Sequence, residues 1–220
     1  MDAEAVARFL QENPAFFEQH PDLLAQISVP HPHGGPAIAL ADRQVLTLRE
    51  RNRQLEAKLA ELLQFGEEND VLGEKMHRLA VALAGTKTRD ATLDTLAYNL
   101  REDLAIPHVA LRLWLGNGEG RREFEPVSPE LKQMTVAMAE PYCGPANQAE
   151  AASWLGESAP HLRSMALVAL REHGVAGAQG DPIGLLVLAS EDPARFYADM
   201  GTVYVRRLGE LTSASLARFF

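Results

Sequence analysis

Between residues 42 and 84 the apolar positions recur at helical spacing, without a proline and with glycine only at 66 and 73. The core positions run Val45, Leu48, Asn52, Leu55, Leu59 and Leu62, in steps of 3, 4, 3, 4 and 3, and resume as Phe65, Asn69, Leu72, Met76, Leu79 and Leu83. This alternation is the seam of a left-handed coiled coil. Leu59, Leu62 and Phe65 step by 3 and then 3, a stammer that overwinds the coil locally. With Val45 at position a, Arg51 falls at g and Glu56 at the next e, the interhelical pairing of a parallel dimer. Asn52 at an a position costs stability but fixes register and favours two strands. At a rise of ~1.5 Å per residue the helix would be roughly 60 Å long, too long for a short N-terminal segment to cover. A second copy is the simplest partner, and a helix folded back on its own chain is the alternative.

Other segments carry different patterns. Residues 1 to 29 read as short helices broken by Asn13-Pro14 and His20-Pro21, because proline suits the first helical position. Val6, Phe9, Leu10, Phe16, Phe17, Leu23, Leu24 and Ile27 give them an apolar face. PHPHGGP at 30–36 is a turn or hinge. From residue 86 onward the pattern predicts one α+β domain. A helix over Thr92–Leu104 precedes an alternating strand, Val109–Leu115. The glycine-rich turn at 116–120 leads to a second strand over Glu123–Val127, then to a helix over Pro129–Ala139 capped by Ser128. Met165–Leu170 and Ile183–Ala189 are apolar strands either side of a loop, and a closing helix runs from about Met200. Hairpin-like connections favour an antiparallel sheet with helices on it over a doubly wound parallel sheet. The predicted fold class is therefore α+β, divided as 1–41, 42–85 and 86–220.

Composition narrows the setting. A 220-residue chain of net charge −9 does not favour non-specific binding to nucleic acid or anionic membranes. The single cysteine, Cys143, rules out an intrachain disulfide framework and fits a reducing compartment. The start, MDAEAVARFL, is acidic where a signal peptide is basic, and no apolar run approaches the ~18 residues of a membrane span. A cytoplasmic protein is expected.

The runs NPAFFEQHPDLL, PHPHGG, RQVLTLRERNRQLEAKL and SEDPARFYADMGTVYVRRLGELT together resemble the bacterial domain of unknown function 484 family, and the resemblance covers essentially the whole chain. It implies a helical N-terminus and coil joined to a GAF-like domain, a fold used elsewhere to sense small molecules or chromophores. It implies no activity and supplies no ligand-binding motif.

Candidate chemistry is sparse. Cys143 reads as a small buried residue beside a turn, with a redox-sensing thiol as the alternative; no spacing demands that His161 or His173 approach it. His31 and His33 lack the further ligands of a zinc site, and His77 reads as a coil-surface or seam residue. The glycines of 116–120 follow a strand without opening a helix, so they do not form a phosphate cradle. Arg43, Arg49, Arg51 and Arg53 lie within the heptad register rather than ahead of it, which fits a solvated coil face better than a DNA grip. Phe196 is expected to plug the core and Arg195 to tie its loop to an acidic group. Arg112, Trp114, Tyr142, Cys143 and Arg171, on or beside strands, are the candidates for a ligand pocket between sheet and helices. No acid–base pair, triad or metal set fills the roles a reaction needs, and no cofactor is called for. The expectation is a non-enzymatic signalling protein, a homodimer whose C-terminal domain senses a small molecule or docks a protein. The alternative is a ligand-free scaffold.

Overall fold

The computed structural model describes residues 2–29, 38–116, 120–172 and 180–220. The hinge with His31 and His33, the centre of the glycine-rich turn, and His173 lie outside them. The chain divides into two compact units, Met1–Asn69 and Asp70–Phe220.

The first unit opens with three short helices, α1 (Ala3–Glu12), α2 (Ala15–Gln19) and α3 (Pro21–Gln26). Pro14 caps α2 and Pro21 occupies the first turn of α3, as the proline punctuation predicts. Phe16 is the local organiser. Its ring meets Phe9 edge-on at 6.0 Å, Phe17 edge-on at 5.6 Å and His20 at 4.9 Å. Strands β1 (Ser28–Val29) and β2 (Ile38–Ala39) form a two-residue antiparallel ladder. Helix α4 follows as one element over Leu40–Gly85.

The second unit is built on a four-stranded antiparallel sheet of order β3-β6-β5-β4: β3 (His108–Leu113), β4 (Tyr142–Pro145), β5 (Ser164–Arg171) and β6 (Pro182–Ser190). Helix α5 (Arg89–Glu102), capped by Thr88, the last turns of α4, and α8 (Val203–Ala217) cover one face. That core joins Leu79, Leu83, Leu93, Leu96, Leu100, Leu208 and Leu216 to Leu111, Val168, Leu186 and Leu188 of the sheet. The other face packs Met165, Leu167, Leu185 and Val187 under α6 (Pro129–Ala137), α7 (Ala149–Ser153) and the 3-10 turn Gly156–His161. Phe196 enters the first core as predicted, but Arg195 donates to the carbonyl of Leu104, 2.9 Å away, rather than to an acid.

Two local expectations are corrected. Glu123–Val127 forms no strand: Arg122–Phe124 is a 3-10 turn, and Pro126, which has no N–H for a ladder, follows it. Cys143, expected beside a turn, lies within a strand, Tyr142–Pro145, that pairs residue for residue with β5. The stripe of α4 also divides. Leu79 and Leu83 are 1% exposed inside this chain's own core, so the end of the predicted seam is already covered within one copy.

The α4–α5 corner is stapled by polar groups. The carbonyl of Leu83 accepts from Thr86 Oγ1 at 2.7 Å and from Arg218 Nη2 at 2.7 Å. The same Arg218 Nη2 lies 2.5 Å from Thr86 Oγ1, which also meets Thr92 Oγ1 at 2.7 Å. The carbonyl of Leu83, freed where α4 ends, is thus held by side chains.

Helix α8 lies close against β5 because Gly209 lacks a side chain. A Cβ there would stand 2.4 Å from Val168 Cγ1. Alanine is favoured over glycine in a helix by about 1 kcal/mol, but overpacking costs about 1–3 kcal/mol, so the clash decides the sign. Gly209→Ala should lower the urea midpoint, and adding Val168→Ala should make the glycine replacement favourable. A stabilising Gly209→Ala in the wild-type background would refute the close-packing account.

Candidate functional site

The alternation of β3 sends Ala110, Arg112 and Trp114 to the α6/α7 face and Leu111 and Leu113 to the α5/α8 face. Arg112 thereby becomes a buried cation, 5% exposed, on a strand at the edge of the sheet. Its Nη2 donates to Glu125 Oε2 at 2.6 Å and its Nη1 to the carbonyl of Leu111 at 3.2 Å. The guanidinium lies 4.8 Å from the centre of the Trp154 ring. Nε is buried and has no hydrogen-bond partner among the described residues. Burial pulls the pKa of Arg112 below its ordinary value, against the opposing pull of Glu125 and Glu123. An arginine still keeps its proton in a protein, so the charge needs an anion beside it.

Beside Arg112 a cavity of about 560 Å³ follows the edge of β3. Leu93, Leu96 and Ala97 of α5 line it together with Trp154, Leu155 and Ser158, and Arg122 and Glu123 lie among the remaining lining residues. The volume is in the range of small-molecule sites.

The other four sequence candidates do not join this cavity. Arg171 lies at the end of β5, by a separate hollow of about 450 Å³. Its Nη2 donates to the carbonyls of Thr135, Val136 and Met138 at 3.1, 3.1 and 2.7 Å, and Nη1 donates to Gly180 at 3.2 Å. Arg171 therefore closes the C-terminal end of α6, where carbonyls lack helical partners. Trp114 donates its indole N–H to the carbonyl of Pro182 at 2.5 Å. The Tyr142 hydroxyl is held by the carbonyl of Pro145 at 2.9 Å and by Asn147 Oδ1 at 3.3 Å. Cys143 faces the opposite core, and burial pushes its thiol pKa up, away from the thiolate a reactive cysteine uses.

Trp154, Glu125 and Arg122 are the site residues that the sequence reading missed. Trp154 is one of two tryptophans and was the available signal, but the short helix that delivers it, α7, has no legible periodicity. Among the described residues no group of three or more His, Cys, Asp or Glu side chains is placed to hold a metal. No helix among them is long and apolar enough to cross a membrane.

Next to the lining residue Arg122, Arg121 ties α5 to the 3-10 turn through Asp94 at 2.7 Å and Glu123 at 3.1 Å. Hydrogen bonds donated to Glu123 and then to Asp94 raise the pKa of Arg121. Burial alone would raise the pKa of Glu123, but the hydrogen bond and charge of Arg121 prevail and hold it below the usual carboxylate range. A depressed carboxylate contributes stability that is present above its unfolded pKa and lost as pH falls through its folded pKa. Replacing Glu123→Gln should cost less than about 1 kcal/mol near neutral pH, because solvent screens the pair. Urea melts should show that gap closing as pH falls below about 4.5, and a gap independent of pH would refute the pairing.

These features define an α+β protein with a long helix running into an antiparallel sheet covered on both faces and an arginine-centred cavity at one edge. The chain belongs to the family described as protein of unknown function DUF484, whose model matches residues 1–220. It is 25% identical to the uncharacterized protein YigA of Shigella flexneri over 231 aligned residues, covering 100% of this chain and 92% of that one. It is 24% identical to the uncharacterized protein YigA of Escherichia coli (strain K12), with the same coverage.

Proposed function

We infer that this protein is a non-enzymatic regulatory homodimer, in which a parallel coiled coil made by α4 carries a GAF-like sensor domain. The observation that carries this reading is the uncovered stripe of α4. Val45, Leu48, Leu55, Leu59, Leu62 and Phe65 are 45–67% exposed in a single copy, at the spacing of a coil seam. Leaving so many large apolar side chains in water forgoes about 2 kcal/mol for each that a partner would bury. The heptad register selects a second copy as that partner, with Asn52 facing Asn52 across the seam. A cytoplasmic setting accords with the acidic, cysteine-poor chain.

The antiparallel sheet and its helices support the GAF-like reading, and the cavity at β3 supports a sensing role. The polar atoms of Trp114 and Tyr142 and the terminal nitrogens of Arg171 are all engaged in structural bonds, which supports a non-catalytic role for them. A scaffold without a ligand is the second reading. It is favoured by the filling of both sheet faces with side chains, which leaves the hollow at Arg112 at the sheet's edge rather than beneath its helices.

Light scattering on the full chain tests the assembly. The wild type should be a dimer, and Leu55→Glu combined with Leu59→Glu should be a monomer with unchanged near-ultraviolet circular dichroism. A monomeric wild type would sink the coil reading.

A further inference from the structure

Arg112 and Glu125 form an unequal pair. The arginine side chain is 7% exposed and fixed on β3, whereas the glutamate side chain is 54% exposed and follows the 3-10 turn. The cation is permanent and the anion is removable. The contact is also half of what it could be. Nε and Nη2 are the two parallel donors along one edge of a guanidinium, and together they grip a carboxylate in bidentate fashion. Here Nη2 holds Glu125, while Nε, its neighbour on the same edge, is buried and unpartnered among the described residues.

The surroundings restrict what could replace Glu125. Trp154 lies over the guanidinium and, with Leu155, Leu93 and Leu96, gives the cavity an apolar lining. The charged lining residues are Arg101, Arg112 and Arg122 against Glu123 and Glu157, with His108 beside them, an excess of one positive charge when the histidine is neutral. Such a balance suits a monoanion better than a phosphate carrying close to two negative charges. The carboxylate of Glu125 already shows which anion the fork accepts.

We propose that the cavity at the edge of β3 binds a small aromatic monocarboxylate, which displaces Glu125, engages both Nε and Nη2 of Arg112, and places its ring against Trp154. This names the ligand class for the sensor domain and rests on that reading, while the binding itself requires no particular oligomeric state.

Isothermal titration on the full-length protein with indole-3-carboxylate and benzoate tests it, with indole and inorganic phosphate as controls. At least one aromatic carboxylate should bind about tenfold or more tighter than either control, because only it satisfies both the fork and the apolar lining. Glu125→Gln removes the competing charge and should tighten binding by about threefold or more. Arg112→Lys keeps the charge but loses the fork and should abolish binding, with Trp154→Leu as a second weakening variant should Arg112→Lys fail to fold. The proposal is overturned if neither carboxylate binds to the wild type or Glu125→Gln, if phosphate binds as well, or if Glu125→Gln leaves affinity unchanged. Light scattering on the same samples separates the two claims: a dimer that binds no carboxylate overturns only this inference, and a monomer that binds one overturns only the coil.

Discussion

Strand β6 is buried at every one of its nine residues, and the organisation of the second unit follows from that constraint. A strand buried on both faces cannot alternate apolar with polar positions, and Pro182–Ser190 does not. Its sheet must be covered twice. The first cover comes from α5, α8 and the end of α4, and the second from α6, α7 and the following 3-10 turn. β5 sits beside β6 under both covers and is buried except at Ala169 and Arg171, and the other partly exposed strand positions fall to the edge strands. At one edge, β3 must place Arg112 where a cover already exists, and a charge is thereby buried where a central strand would carry an aliphatic side chain.

The same need for cover gives α4 two tasks. Its last turns provide Leu79 and Leu83 to the core, so a boundary drawn at residue 86 would cut through that core. The division of the chain after Asn69 keeps these turns with the sheet they protect. Upstream, the same apolar stripe continues without cover in a single copy. Periodicity reveals such a stripe but not what covers it. A heptad repeat looks identical whether the facing surface is a sheet or a second helix, and only the burial of Leu79 beside the exposure of Leu59 tells them apart.

Much of the fold was legible where local chemistry and tertiary burial agree. β5 and β6 announced themselves as uniform apolar runs, and Ser128-Pro129 marked the start of α6. β4 was not legible. Tyr142-Cys143-Gly144-Pro145 carries a glycine and a proline, the ordinary signals of a turn, and it becomes a strand only because β5 offers it an edge. The site was half legible for a similar reason. Arg112 and Arg171 look alike in sequence, each a cation beside an apolar strand. Distance separates them: Arg171 ends on four backbone carbonyls, whereas Arg112 ends on one carbonyl, one displaceable carboxylate and an unused Nε. No pattern along the chain brings Trp154 over Arg112, since residues so far apart in sequence meet only once the α7 cover packs on the sheet.

The cavity and the long helix share a structural element. Leu93 and Leu96 of α5 line the cavity wall and also pack in the core with Leu79 and Leu83. At its start, α5 is joined to the end of α4 through Thr92, Thr86 and Arg218. An occupant of the cavity therefore bears on the element that meets the end of α4. A bound molecule can shift such a joint only by the difference in its affinity for the two arrangements. Arg112 supplies a source for that difference. With Glu125 in place the fork is half filled, and with an outside carboxylate in place it is full and Glu125 is released to solvent. The 3-10 turn preceding Glu125 is tied to α5 by Arg121, so release of Glu125 acts on the segment that holds α5 from outside while the occupant touches α5 from within.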